Sequence, residues 1–328
     1  MNTEQLFKKK RFIVLFAGIC TFLWGSAFPF VKIGYKLMNI KSGDISSTIL
    51  FAGARFFMAG LITLTICRLF KLDPNIVTMK TFKDTYINKK FLLSCAIVSF
   101  FMTFFQYTCF YIGLSNASGV NGSIINSSGT IFTVLLAFIV YKAEKPTTVK
   151  LLGCLLSLIG IILVNFRTVP VSALSSISSI RENVGLGMFS LKGEGLLFMA
   201  SLSAAFGTIF NKNTTKSYHP ITLSGSQLTL GGLYLTLIGL LSGGLLTPSS
   251  AKAFIVLAYL SMLSAIAITL WTVLLKYNSA SKVSVFKFLT PLFGVLLSGI
   301  FLGEDILNLW VAGALFLTCM GIVIMQKN

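Results

Sequence analysis

The sequence predicts an all-α integral membrane protein, with ten transmembrane helices arranged as two inverted five-helix repeats around a central cavity. Three observations predict this fold. The 328 residues are 55% hydrophobic and 11% charged, with a mean hydropathy of +0.86, which leaves too little polar surface for a water-soluble domain. The chain contains ten apolar stretches. Its two halves also share recurring sequence.

Each apolar stretch is close to the roughly 20 residues that a helix needs to cross a bilayer. The first stretch follows the basic run 8–11 and is longer than a signal-peptide core, so we interpret it as a retained helix. The predicted helices cover residues 12–38, 48–70, 91–114, 119–140, 149–166, 193–210, 221–243, 254–277, 283–302 and 306–325.

The duplication relates particular helices of the two halves. The Gly-Ala-Arg segment 53–55 recurs as Gly-Ser-Gln at 225–227, at equivalent places in helices two and seven. Residues 110–136 overlay 271–297 without a gap, which relates helices three and four to eight and nine. Because each copy has an odd number of helices, the second copy must insert upside down relative to the first. Inverted repeats of this kind are typical of transporters that hold their substrate between the repeats.

The repeats divide the chain into residues 1–166, a serine-rich linker at 167–192, and residues 193–328. We expect the linker to be external, with a short amphipathic piece on the membrane surface as the alternative. With the N-terminus inside, eighteen Lys and Arg residues fall on inner segments and six on outer ones. The positive-inside rule therefore predicts a multi-pass protein of the cell membrane with both termini cytoplasmic.

The positive net charge does not indicate a nucleic-acid partner. The net charge of +18 is explained by basic segments facing anionic lipid headgroups, so we expect membrane lipids as partners. No obligate protein partner is evident.

The six cysteines lie in apolar helices without a CxxC pair, and the only histidine, His219, has no partner histidine. We therefore expect no disulfide, no metal site, no cofactor and no enzymatic activity.

Helix four carries a polar stripe that predicts one wall of the cavity. Ser123, Asn126 or Ser127, Thr130 and Thr133 recur every three to four residues, which places them on one helical face. Their repeat mates on helix nine are Ser284, Lys287, Pro291 and Gly294. Small polar residues also serve simple helix packing, an alternative that holds least well for Asn126 and Lys287.

Three cations lie within apolar segments: Lys32, Arg55 and Lys287. A charge at mid-bilayer costs about 2.5–3.5 kcal/mol even on lenient scales, so these side chains should avoid lipid. Lys32 can snorkel outward or bind cargo, and Arg55 can pair with backbone carbonyls or bind cargo. We expect Arg55 and its repeat mate Gln227 to be among the residues that line the cavity. Lys287 is the best candidate for cargo binding. All nine acids lie in loops or at helix ends, so a buried acidic proton relay is not expected.

Several motifs resemble the EamA-type family of the drug/metabolite transporter superfamily. The resemblance covers the chain from helix one to helix ten. It is carried by Trp-Gly-Ser-Ala-Phe-Pro at 24–29, Arg-Phe at 55–56, Thr-Pro-Leu-Phe at 290–293 with Leu-Gly-Glu at 302–304, Trp271, and the glycines of 313–321. It implies ten helices in two inverted repeats and usually outward transport of small metabolites. The family usually has proline where this chain has Thr130.

The family resemblance also implies that helices one, three and eight line the cavity. The expected aromatic wall is then Trp24, Phe28, Tyr107, Tyr111 and Trp271, although packing alone is the alternative for each of them. Pro291 removes a helical hydrogen bond and exposes carbonyls, which makes it the candidate gate together with Pro29.

We therefore expect a secondary transporter, either an exporter or a facilitator, that moves amino acids, organic acids or drugs by alternating access. The cargo that best matches Lys287 is anionic or zwitterionic. The alternative is a flippase for lipid-linked or sugar-phosphate headgroups, in which Lys287, Arg55 and Lys32 would bind phosphate. A third hypothesis is a membrane protein without transport activity, but the inverted duplication of the two halves would have no evident use in such a protein.

Overall fold

The computed structural model describes residues 3–74, 85–86, 88–126, 128–140, 147–164, 190–304, 306 and 309–326. Within these ranges every regular element is helical, which confirms the predicted all-α class. The predicted linker lies outside the described residues except for its last three positions. The predicted end of helix five and Ser127 of the polar stripe also lie outside them.

A short helix at Thr3–Lys8 precedes the longer helices. Of the described helices α1 to α10, all except α5 and α10 are long and apolar enough to cross a membrane. The helices are α1 Lys10–Leu37, α2 Ile45–Leu69, α3 Lys89–Ser115, α4 Gly119–Asn126 with Ser128–Val140, α5 Thr148–Val164, α6 Leu191–Thr214, α7 Pro220–Leu241, α8 Ala251–Tyr277, α9 Lys282–Leu302 and α10 Leu309–Gln326.

Capping residues explain where several helices begin. Asp44 Oδ1 accepts the Ser47 N–H at 3.0 Å before α2, and Asn88 Oδ1 accepts the Lys90 N–H at 3.0 Å before α3. Each side chain satisfies a backbone donor that the first helical turn leaves without a partner. Helix α7 begins with Pro220, where the missing proline N–H costs nothing.

Two helices depart from α-helical geometry near the middle of the bundle. Helix α3 contains a π-helical segment at Phe100–Phe105, and α9 contains a 3₁₀ segment at Val285–Phe288. Such segments change which side chains face a given direction and are often found at functional sites. In this protein each of the two segments contributes a residue to the wall of the central cavity, Met102 from the π-helical segment and Lys287 from the 3₁₀ segment.

The packing brings the two halves of the chain together. Helix α2 packs along α7, and α5 packs along α10. Helix α1 packs on α8 and α9, whereas α6 packs on α3 and α4. Each half therefore builds its interior against helices of the other half, and the bundle has a single interface region between the halves.

Glycines allow α2 and α7 to approach to backbone contact. A Cβ atom at Gly53 would meet the backbone of Thr236, and one at Gly232 would meet the backbone of Phe57. Gly60 and Gly225 lie seven residues from these glycines and face Thr229 and Leu64 in the same way. Without a hydrophobic force between helices in lipid, such close packing of small residues is what holds membrane helices together.

We predict that Gly232→Ala destabilises the protein, because the added methyl would overlap the backbone of α2. Overpacking of this kind costs about 1–3 kcal/mol, so the thermal unfolding midpoint of the purified protein should fall. Gly18→Ala is the matched control, since nothing lies within 4 Å of a Cβ at that position in α1. Equal midpoints for the two variants would contradict the packing described for α2 and α7.

Candidate functional site

A cavity lies in the middle of the bundle, between α1, α3, α4, α8 and α9, with Arg55 of α2 and Ala204 of α6 completing its wall. Its volume is about 70 Å³, which is room for a few water molecules. Of the residues predicted to line it, those that do so are Trp24, Phe28, Arg55, Tyr107, Asn126, Trp271 and Lys287.

The ammonium group of Lys287 lies beside two tryptophan rings that contact each other. Its Nζ is 5.6 Å from the ring centroid of Trp24 and 5.1 Å from that of Trp271. The two ring centroids are 4.8 Å apart with an interplanar angle of 61°. A cation over an indole face gains about 0.5–2 kcal/mol. The two rings therefore offset part of the cost of placing an ammonium group inside the bundle.

The backbone around Lys287 explains its position. The residue lies in the 3₁₀ segment that precedes the regular part of α9. Pro291, four residues later, has no N–H to donate to the Lys287 carbonyl, and its ring would crowd that carbonyl in a regular helix. The tighter turn relieves this conflict and directs Lys287 to the cavity wall.

Two further hydrogen-bond donors on the wall have no partner among the described residues. The indole Nε1 of Trp271 and the hydroxyl of Thr290 are both buried without an acceptor, and both residues line the cavity. None of the described residues on the wall is acidic. The cavity therefore presents an ammonium group, an indole N–H and a hydroxyl, with no carboxylate to engage them.

Arg55 is held in the wall by neutral acceptors. Its Nε donates to the Leu260 carbonyl at 3.1 Å and to the Ser264 hydroxyl at 2.8 Å, and its Nη1 donates to the Tyr111 hydroxyl at 2.7 Å. The guanidinium carbon also lies 4.9 Å from the Phe56 ring centroid. These bonds fix the direction of the side chain, and its positive charge remains at the cavity surface.

Three predicted lining residues lie behind the wall. Thr130 is fully buried, and its hydroxyl donates to the Ser284 carbonyl at 3.4 Å, because α4 and α9 are in contact there. Tyr111 supports Arg55 through its hydroxyl. Gln227 is fully buried in α7, with no side-chain partner among the described residues. The packing of α7 against α2 and α3 keeps Gln227 from the cavity.

The described residues of the polar stripe of α4 have two kinds of surroundings: most pack within or between helices, and one lines the cavity. Ser123 packs against Gly294 of α9, and the Thr133 hydroxyl bonds the Gly129 carbonyl within α4 at 2.6 Å. Of the described residues in the stripe, only Asn126 lines the cavity. For Ser123 and Thr133 the geometry therefore matches helix packing.

Sequence reasoning missed Met102 and Gln106 of α3, which also line the cavity. They lie within and directly after the π-helical segment Phe100–Phe105. A regular α-helical wheel does not give their direction, because the π segment rotates the following turn. The available signal was Gln106 itself, an amide within an apolar stretch.

The two candidate gating prolines lie in helix interiors. Pro29 is buried in α1 and cannot donate to the carbonyl of Gly25, four residues earlier. A Cβ at Gly25 would meet Phe293 Cβ at 2.5 Å, so α1 and α9 approach closely at that turn. Pro291 is buried in α9. Both carbonyls released by the prolines therefore lie near the contact between α1 and α9.

His219 lies away from the cavity, just before α7. Its Nδ1 is 3.8 Å from Oδ2 of the buried Asp73, which also accepts a hydrogen bond from Thr222. Burial lowers the pKa of His219, and the charge of Asp73 partly opposes this effect. No group of His, Cys, Asp or Glu within the described ranges is arranged to hold a metal ion.

Known proteins resemble this chain over most of its length. The sequence model of the EamA-like transporter family matches residues 11–166 and 191–326. An uncharacterized transporter of Archaeoglobus fulgidus is 26% identical over 325 residues, covering 97% of this chain and 99% of the relative. A WAT1-related chloroplastic protein of Arabidopsis thaliana is 30% identical over 210 residues, covering 62% of this chain and 47% of that protein.

A crystal structure of another protein superposes on 97% of this chain and 98% of that chain, with a TM-score of 0.67 at 11% sequence identity. At this identity the likeness concerns the fold alone. The relative from Archaeoglobus fulgidus is named a transporter, and proteins of this family are not enzymes. Because the family match spans nearly the whole sequence, this chain belongs to the EamA-like transporter family and is a multi-pass membrane transporter of small molecules.

Proposed function

We propose that the protein is a secondary transporter of small anionic or zwitterionic metabolites, and that it works by alternating access around the central cavity. The observation that carries the proposal is the set of donors on the cavity wall. Lys287, Trp271 and Thr290 all line the cavity, the Trp271 indole N–H and the Thr290 hydroxyl have no partner among the described residues, and no described residue of the wall is acidic. A carboxylate or phosphate group of the cargo satisfies all three donors.

The proposed architecture has ten transmembrane helices in two inverted five-helix repeats, with α5 and α10 also spanning the bilayer. The helix contacts support this symmetry. Exchanging the halves converts the packing of α1 on α8 and α9 into the packing of α6 on α3 and α4. The sequence offset that relates Gly53 to Gly225 also relates Leu64 to Thr236, so it converts the Gly53–Thr236 contact into the Gly225–Leu64 contact.

The proposed orientation places both termini in the cytoplasm and the protein in the cell membrane. The excess of Lys and Arg on the segments assigned to the inside supports it. In this orientation the cavity lies near mid-membrane, between the repeats, which is where transporters built from inverted repeats hold their cargo.

In the proposed transport step, cargo entering the cavity places its anionic group against Lys287. The aromatic rings of Trp24, Tyr107 and Trp271 provide apolar walls, and Asn126 and Gln106 provide amide groups for other polar parts of the cargo. Neutralising Lys287 lowers the cost of moving the buried charge past apolar side chains. The repeats can then repack around the α2–α7 contact and open the cavity to the other side.

We predict that Lys287→Gln abolishes most transport of acids while the protein still folds. Losing a hydrogen bond to a charged group costs about 1.5–3 kcal/mol, which is at least about a tenfold loss of affinity. Proteoliposomes loaded with a mixture of amino acids, organic acids, sugars and amines would be analysed by mass spectrometry for solutes that leave. Lys282→Gln is the matched control, because Lys282 is an exposed lysine five residues earlier.

Acids or amino acids should leave wild-type vesicles faster than protein-free vesicles, and Lys282→Gln should behave as wild type. Lys287→Arg should restore the charge but not the full rate, because a planar guanidinium does not fit the space of an ammonium group. Efflux of only neutral or cationic solutes, or full activity of Lys287→Gln, would contradict the proposal.

A second prediction concerns the gate in α9. Pro291→Ala restores the hydrogen bond from residue 291 to the Lys287 carbonyl and should convert the 3₁₀ segment toward a regular helix. Transport should therefore fall by more than about tenfold while thermal stability is kept or rises, since alanine removes a helix-breaking residue. Thr130→Ala, at the pseudo-equivalent position of α4, should have a mild effect on both. Parallel losses of transport and stability in Pro291→Ala would indicate a structural proline instead.

A further inference from the structure

A second cavity, which we name the lysine chamber, lies beyond the end of the central one. Its volume is about 290 Å³. The wall consists of the last turns of α1 and the loop that follows it, the end of α3, and the residues after α9. The polar residues on the wall are Lys32, Tyr35, Lys36, Lys41, Ser42, Ser115 and Glu304.

The described wall of the lysine chamber carries more positive than negative charge. Lys32 and Lys36 lie one helical turn apart, so they share a face of α1, and Lys41 follows in the loop. The one acidic residue described there is Glu304, and its Oε1 accepts the Gly119 N–H at the start of α4 at 2.9 Å. A concave surface with an excess of positive charge concentrates anions from solution.

Only about one helical turn separates the lysine chamber from the central cavity. On α1, Phe28 lines the cavity and Lys32 lines the chamber, and on α3 the corresponding residues are Phe110 and Leu114. Four residues of α-helix rise about 6 Å. The rings of Phe28 and Phe110 meet edge to face with centroids 5.6 Å apart. This pair forms the partition between the two spaces.

Hydrogen bonds also join the two walls. The hydroxyl of Tyr35, which lines the chamber, donates to the Tyr111 carbonyl at 3.0 Å. The hydroxyl of Tyr111 in turn accepts the Nη1–H of Arg55, which lines the central cavity, at 2.7 Å. Opening the partition therefore requires movement of residues that also position a cation of the central site.

We propose that the lysine chamber is a second binding site, which takes the carboxylate or phosphate group of a small soluble anion on the far side of the Phe28–Phe110 partition. The site would serve as an antechamber through which anionic cargo reaches or leaves the central cavity. That antechamber role rests on the proposed transport function. The binding of anions by the chamber does not, and it is tested without transport.

The test measures the electrostatic potential of the lysine chamber in the purified full-length protein. Ser42, which is exposed and lines the chamber, is changed to cysteine after the six native cysteines are replaced. Ser242→Cys, at the exposed end of α7 and away from the chamber, is the control. Each cysteine reacts with two methanethiosulfonate reagents, one carrying a sulfonate and the other a trimethylammonium group. Ser115→Cys provides a second reporter on the opposite wall.

The ratio of sulfonate to ammonium reaction rates should be at least about threefold higher at position 42 than at position 242. It should fall toward the control value in Lys36→Gln/Lys41→Gln and at high ionic strength. Inorganic phosphate in nonionic detergent should slow labelling at position 42 and not at 242. Equal ratios at both positions, or a ratio unchanged in the double variant, would overturn the proposal.

A further experiment distinguishes a soluble anion from a lipid headgroup as the ligand of the lysine chamber. The labelling is repeated in nanodiscs of phosphatidylglycerol and of phosphatidylcholine, each with and without inorganic phosphate. Protection by phosphate in phosphatidylcholine supports a site for a soluble anion. Protection only by phosphatidylglycerol, with no effect of phosphate in either lipid or in detergent, would overturn the proposal in favour of a lipid headgroup. Neither result bears on the proposed function of the central cavity, which the transport experiment with Lys287→Gln tests.

Discussion

The central constraint on this protein is the placement of the Lys287 ammonium group inside a bundle of apolar helices. On lenient insertion scales a charge near mid-bilayer costs about 2.5–3.5 kcal/mol, a large part of the roughly 5–15 kcal/mol by which a domain is stable. The indole rings of Trp24 and Trp271 offset part of that cost. The described cavity wall contains no carboxylate, and we propose that an anion from outside the chain is the partner that offsets the rest.

The helix packing is what holds Lys287 against the two indoles. Trp24, Trp271 and Lys287 come from α1, α8 and α9, and α1 is the helix that packs on both of the others. Gly25 lets α1 approach the backbone of α9 closely, which brings Trp24 beside the 3₁₀ segment that carries Lys287. The same reliance on glycine joins α2 to α7, so close backbone contacts between the halves determine the geometry of the site.

Much of this arrangement could be predicted from sequence, because membrane helices are long apolar runs and a buried cation is conspicuous within one. Lys287 and Arg55 were found in this way, Asn126 was found from the polar stripe of α4, and all three line the cavity. Thr130 and Gln227 were also predicted to line it but pack between helices, because a helical wheel gives a face without saying which neighbour covers it. Gln106 and Met102 were missed, since the π segment in α3 changes the helical phase. Composition does not reveal such a local change.

We propose that the cavity selects an anionic group. The most direct test of this selectivity is thermal unfolding of the purified protein with matched ligand pairs. Each pair contains a carboxylic acid or amino acid and its uncharged or cationic amide, which have nearly the same size and shape. A ligand that binds only the folded state raises the unfolding midpoint, and a concentration of 100 times Kd stabilises by about 2.7 kcal/mol. At least one acid should raise the midpoint while its amide does not. Stabilisation by amides equal to or greater than that by their acids would contradict it.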